Sequence, residues 1–207
     1  MPAKRVFVTQ IYFEKLQKQS AAVKEINTQL LRECVQISEE DLAGVRWSKK
    51  NYVNGFTSYA SANDMHRRST TFEALEKLID RHVKKFTHNL DLDLGRNGLK
   101  MSTCWVNIMP SHAYHGLHVH PLSVVSGTYY LAVPPKASAI KFEDPRLGFM
   151  MAAPPKKNRA NEENQTFLTL APEVGSVVLF ESWLRHEVPM NQSKGSRISI
   201  SFNYDWI

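Results

Sequence analysis

The spacing of apolar residues changes near residue 98, and that change divides the chain. Before it, apolar positions recur three and four apart. Ser20 is followed by Val23, Ile26, Leu30, Leu31 and Cys34, a spacing that predicts a surface helix with one buried stripe. Phe72, Leu75, Leu78, Ile79, Val83 and Phe86 predict a second helix, opened by a capping box of Thr70 and Glu73. The opening string RVFVTQIYFEKL alternates as an edge strand running into a helix. Residues 38–68 carry Asn, Gly and Ser in quantity and predict loops with one short strand.

From Gly98 onward the period is two. Strands are expected at about 99–109, 113–120, 125–133, 138–143, 166–171, 175–181 and 196–205, punctuated by Pro110, Pro121, Pro134, Pro135, Pro172 and Pro189. Many short strands with Pro and Gly turns predict a mainly β domain, a sandwich or jelly roll, with the two helices bracing its outside. Residues 144–165 form a long polar stretch with Pro154, Pro155, Lys156 and Lys157, read as a lid or binding loop. Nothing repeats internally. The whole chain, 1–207, reads as one domain: a supporting region over 1–97 and a β core over 98–207.

Composition narrows the function classes. With 43% hydrophobic residues the chain folds around a substantial core. Lys plus Arg number 26 against 20 acids, but the basic residues are scattered in pairs such as Lys49–Lys50 and Arg67–Arg68. A nucleic-acid surface concentrates them in one stripe, so nucleic acid is disfavoured as a partner. Cys34 and Cys104 make no disulfide framework and read as buried thiols. No apolar run reaches the length of a membrane span or a signal segment, so a cytoplasmic location is expected. Oligomeric state is not legible.

The chemistry lies in the second half. His118 and His120, two apart on an expected strand, face the same way and can offer a ring nitrogen each to one ion. His186, after the apolar run VVLF, would complete a facial set. Eleven residues later the run RISISFNYD places Arg197, Ser199 and Ser201 on one face and Ile198, Ile200 and Phe202 on the other. The apolar face must enter a core. That leaves a fixed guanidinium pointing toward the histidines if the strands form one barrel, and a guanidinium is a bidentate receptor for a carboxylate. His115 has the opposite parity to the pair and sits beside Gly116. It is a candidate second partner or substrate contact rather than a ligand. Trp105 and Trp183 read as core aromatics.

This constellation resembles the Fe(II) and 2-oxoglutarate-dependent oxygenases, whose motif is HxD or HxE, a distal His, and Arg-x-Ser about ten residues beyond. The likeness extends to SGTYYLAVPP, similar to the second core strand of prolyl-hydroxylase-like members, and to VVLFESWLRHEV. In particular the order HxHP, SGxYY, DPR, SWLRHEV resembles a microbial and phage group of the superfamily. The resemblance covers about residues 100–207. It implies a double-stranded β-helix, cupin-like in form, holding Fe(II) on His118, His120 and His186. It further implies 2-oxoglutarate held by Arg197, Ser199, Tyr130 and Asn107, with O2 as oxidant and a hydroxylase activity on a peptide, amino acid or small-molecule substrate. Arg146, in the FEDPR string, is a candidate substrate contact. The usual acidic ligand is replaced by His120, and Asp144 or Glu181 could still approach the metal. Where repair members carry a further Arg six residues after the anchor, this chain has Asn203. A rival reading is a cupin-like metal-binding or sensing module without turnover, since three histidines also suit Zn(II). Another is a three-His dioxygenase acting directly on a thiol or diol. Neither rival needs Arg197.

Overall fold

The computed structural model describes residues 3–16 and 21–207. Two antiparallel sheets carry the fold. The larger has the order β1-β8-β5-β10-β3-β2, built from Ile11–Lys15 (β1), Phe56–Thr57 (β2), Leu99–Met109 (β3), Val125–Ala132 (β5), Ser176–Glu181 (β8) and Arg197–Trp206 (β10). The smaller has the order β4-β9-β6-β7, from His115–His118 (β4), Ile140–Glu143 (β6), Phe167–Leu170 (β7) and His186–Val188 (β9). None of the helices among the described residues is long and apolar enough to cross a membrane.

Helices α1 (Ala21–Glu40) and α4 (Thr70–Asn89) brace the outer face of the large sheet. Val23, Leu30 and Cys34 of α1 and Phe72, Leu75, Ile79, Val83 and Phe86 of α4 join one core with Val106, Tyr129, Leu179, Ile200 and Phe202. These are the apolar stripes that the helical spacing predicts. Ser20 lies outside the described residues. Two cross-links sit within this packing: Tyr129 donates to Asn27 Oδ1 at 2.6 Å and Tyr204 to Asp80 Oδ1 at 2.7 Å. Cys34 and Cys104 are free and buried.

Three local expectations need correction. Residues 38–68 are mostly helical: α1 runs on to Glu40, α2 spans Leu42–Asn51, and a single turn, α3, spans Met65–Arg68. The cap of α4 is Ser69 rather than Thr70. Ser69 has extended backbone angles, and its Oγ accepts from the amides of Thr71 and Phe72, while Thr70 is already helical. Trp183 is 49% exposed in the turn after β8 and belongs to no core. The stretch 144–165 is loop broken by two short 3-10 turns, at Leu147–Phe149 and Glu162–Asn164.

Along β10, Ile198, Ile200 and Phe202 enter the helix-side core, so Arg197, Ser199 and Ser201 point into the space between the sheets. Gly127 keeps β5 close to its neighbours. A Cβ there would stand 2.6 Å from the Phe202 ring and 2.6 Å from the Val178 carbonyl oxygen.

Candidate metal and anion site

His118 on β4, His120 two residues on, and His186 on β9 converge between the sheets. Their ligand atoms all lie within 4.8 Å of one another, a geometry that could hold a metal ion. Pairing sets this up, since His118 stands opposite His186 across the β4–β9 ladder. Each ring is oriented through Nδ1. His118 Nδ1–H donates to the Gly116 carbonyl at 2.7 Å, and His186 Nδ1–H to the Leu184 carbonyl at 2.9 Å. His120 Nδ1–H donates to Asn203 Oδ1 at 2.6 Å and lies 2.8 Å from Ser126 Oγ. Nε2 is thereby left as the lone-pair nitrogen in all three, the arrangement that metal-ligating histidines require. The His-only group contains neither Asp144 nor Glu181.

The support behind His120 is extended. Ser126 donates to Asn203 Oδ1 at 2.7 Å and meets Ser182 Oγ at 2.7 Å, and Asn203 Nδ2 donates to Thr103 Oγ1 at 3.0 Å. Asn203, at the position where repair members carry an arginine, therefore presents an acceptor fixed by its own amide donor. Burial keeps the rings neutral. It pushes His186 down to about 2, His115 to about 3 and His120 to about 4, and it lowers His118 as well.

His115 departs from its expected direction. A register irregularity between His115 and His118 in the β4–β9 pairing cancels the parity argument, and the two rings stack with centroids 4.2 Å apart. His115 also meets Tyr52 edge-on at 5.1 Å.

Below the histidines, the same cleft is lined by Arg197, Ser199, Thr128 and Asn107. Arg197 is 2% exposed. It forms no ion pair among the described residues. Its Nη1 reaches only Met109 Sδ at 3.3 Å and Ser199 Oγ at 3.4 Å, and its Nε has no partner. Tyr130 packs its ring 4.9 Å from the guanidinium carbon, and its buried hydroxyl is also unpaired, as is Thr128 Oγ1. Leaving such groups buried and unpaired costs several kcal/mol, about 1–3 for each neutral group and more for a charge. Their convergence fits a ligand with an anionic, acceptor-rich end. A cosubstrate carboxylate meets that description, and the neutral histidines fit a divalent metal. Asn107 directs its amide group to Ser201 Oγ at 2.9 Å and leaves Oδ1 unpaired, so in this orientation it offers the cleft an acceptor. Arg146 is engaged with Asp144 through bonds of 2.9 and 2.8 Å and lines neither cavity at the site.

Residues 103–203 match the family model described as a putative 2OG-Fe(II) oxygenase. Comparison with curated protein sequences finds no match. Among solved structures, a Pseudomonas putida prolyl-4-hydroxylase superposes with a TM-score of 0.63 at 14% identity, over 96% of this chain and 94% of that one. HygX from Streptomyces hygroscopicus, solved with nickel and 2-oxoglutarate bound, gives 0.60 at 14% identity, over 96% and 83%. The viral collagen prolyl hydroxylase of Paramecium bursaria chlorella virus 1, a 2OG complex, gives 0.59 at 11% identity, over 94% of each chain. At these identities the likeness establishes the double-stranded β-helix fold.

Proposed function

As a member of the 2-oxoglutarate and Fe(II)-dependent oxygenase superfamily through residues 103–203, this chain acts, we propose, as a hydroxylase of a small-molecule or peptide substrate. The observation that carries the reading is one cleft that joins a histidine-only metal group to a buried, unpaired guanidinium. The two substrate classes follow neighbours named as prolyl hydroxylases and one solved with hygromycin B bound.

In this reading Nε2 of His118, His120 and His186 holds Fe(II), with each Nδ1–H contact fixing ring plane and tautomer. Arg197 receives the far carboxylate of 2-oxoglutarate, and the Tyr130 and Ser199 hydroxyls supply further donors to it. When bound, Fe(II) with 2-oxoglutarate and O2 supplies the oxidising power, the cosubstrate being decarboxylated to succinate as the substrate is oxidised. The chain's own contribution is orientation and exclusion of water. Val188, Phe180, Ile140 and Met109 line the cleft beside its polar groups, so the contacts form in a low-dielectric setting. No side chain is asked to carry a proton.

A passive metal module gives no reason for a buried guanidinium without a counter-ion. The test is anaerobic reconstitution with Fe(II), addition of 2-oxoglutarate and O2, and measurement of succinate. Release that requires both metal and His186 is expected; its absence at millimolar cosubstrate would return the advantage to the metal module.

A further inference from the structure

Tyr52, at the C-terminal end of α2, lies outside residues 103–203 and outside the histidine and arginine motifs of the second half. It is 5% exposed, and its hydroxyl is buried without a partner. A phenylalanine would fill the same seat without stranding a polar atom, so the hydroxyl calls for a ligand.

The seat itself is built. The Tyr52 amide donates to the Ser48 carbonyl at 2.8 Å, and the Gly55 amide turns the chain back onto the Tyr52 carbonyl at 3.2 Å. A Cβ on Gly55 would overlap the Tyr52 ring, so the absence of a side chain there lets the ring lie in place. The ring meets His115 edge-on and shares one small cluster with Met109, Ala113 and Val188.

These contacts put the hydroxyl at the guanidinium end of the cleft, which Tyr52 lines. In the sheet β10 is flanked by β5 and β3. From β5 comes Tyr130, with its ring 4.9 Å from the Arg197 guanidinium carbon and its own hydroxyl unpaired. On the β3 flank Arg197 stands opposite Met109, whose thioether lies 3.3 Å from Nη1 and donates nothing. Tyr52 packs in the cluster of that methionine. Burial raises the Tyr52 phenol, and the Arg197 charge pulls it back, so the two groups are within electrostatic reach and the phenol keeps its proton. Tyr52 also borders a second cavity of ≈ 200 Å³, but the guanidinium that it senses belongs to the cleft.

We propose that Tyr52 is a cosubstrate-binding residue whose hydroxyl donates to the far carboxylate of 2-oxoglutarate from the β3 flank, across from Tyr130. The assignment rests on the oxygenase reading. A carboxylate offers about four lone-pair positions, of which the Arg197 fork takes two and the flanking hydroxyls share the rest. The N-terminal region then completes the cosubstrate site as well as bracing the sheet.

The experiment is calorimetry under nitrogen on the Fe(II)-loaded full chain, wild type against Tyr52→Phe, with two ligands. 2-Oxoglutarate carries the far carboxylate; oxalate chelates the metal and has none. Tyr52→Phe should weaken 2-oxoglutarate about 10- to 100-fold, the loss of one charge-assisted hydrogen bond, and leave oxalate unchanged. The urea midpoint of the ligand-free variant should match or exceed that of wild type, because a stranded hydroxyl has been removed. The proposal is overturned if Tyr52→Phe binds 2-oxoglutarate as tightly as wild type or if oxalate weakens by the same factor. A fall in the ligand-free midpoint would also overturn it, by marking a hydroxyl already satisfied within the protein. If the wild-type chain binds oxalate but not 2-oxoglutarate, the cosubstrate reading falls and this assignment with it. Tight 2-oxoglutarate binding that Tyr52→Phe leaves intact sinks this assignment alone.

Discussion

Replacing Arg197 by Met should move cosubstrate affinity and protein stability in opposite directions. The guanidinium is 2% exposed and has no anionic partner among the described residues, and its contacts are a 3.3 Å approach to a thioether, a 3.4 Å approach to a hydroxyl and the Tyr130 ring 4.9 Å from its carbon. Two charge-assisted hydrogen bonds to a carboxylate are worth about 1.5–3 kcal/mol each. Their loss should weaken 2-oxoglutarate by roughly two to four orders of magnitude. Without cosubstrate the same residue is a buried charge whose removal in favour of an apolar side chain of similar length is neutral or stabilising, by up to about 4 kcal/mol. Lysine keeps the charge without the planar fork, so Arg197→Lys should bind 2-oxoglutarate with intermediate affinity. Affinity is read anaerobically from the visible charge-transfer band of the Fe(II)–2-oxoglutarate chelate, and stability from urea unfolding of the metal-free chain. Equal cosubstrate affinity in Arg197→Met would refute the assignment. So would a loss of several kcal/mol of metal-free stability, since that marks a guanidinium already satisfied by the protein.

Further outcomes follow from the metal group. His186→Ala should abolish stoichiometric Fe(II) binding under nitrogen, and unchanged metal content would remove His186 from the ligand set. Asn203→Leu deprives the His120 Nδ1–H of its 2.6 Å acceptor and should lower metal affinity about 10- to 100-fold in a chelator competition, whereas Asn203→Asp should hold or tighten it. Wild-type affinity in Asn203→Leu would show that Asn203 does not orient His120, leaving Ser126 Oγ at 2.8 Å as its partner. Burial holds His186, His115 and His120 at about 2, 3 and 4 in the folded chain, below the ordinary value near 6.5. As pH falls below about 6.5 the unfolded chain therefore takes up protons first. Metal-free stability should be full above about pH 6.5 and decline toward the folded values, by at most about 1.4 kcal/mol per pH unit for each histidine. Urea midpoints at pH 7.5 and 5 test the sign, and a midpoint that rises on acidification would contradict it.

The sequence was most legible where one face of a strand is apolar. Residues 99–109 fall on β3 as expected, and the alternation in RISISF separates Arg197 and Ser199 from the core-facing Ile198, Ile200 and Phe202. Where burial does not track hydrophobicity, the pattern fails. Helix α2 buries Gly44 and Ser48 rather than an apolar stripe, and it is held by Asp41, whose side chain accepts from Gly44 N at 2.8 Å and from the Ser61 hydroxyl at 2.5 Å. Period analysis has nothing to detect there. His115 lies beside the metal group without joining it, as its pattern suggests, but it faces the cleft because of a register irregularity, which leaves no mark in a period-two pattern. Asn203 looked like a departure from a repair-enzyme motif, and only the three-dimensional pairing of β10 with β5 shows it beside Ser126.

Charge explains why the metal and anion halves of this site belong together. Among the described residues no carboxylate lines the cleft, so a divalent ion on three neutral imidazoles and the Arg197 guanidinium would be positive charges without a compensating side chain. In a 2-His-1-carboxylate site the protein cancels part of the metal's charge itself. Here the anion must be supplied by the ligand, and a dicarboxylate can answer the metal at one end and the guanidinium at the other. Metal and cosubstrate should then each raise the other's affinity by the same factor, because linkage between binding free energies is reciprocal.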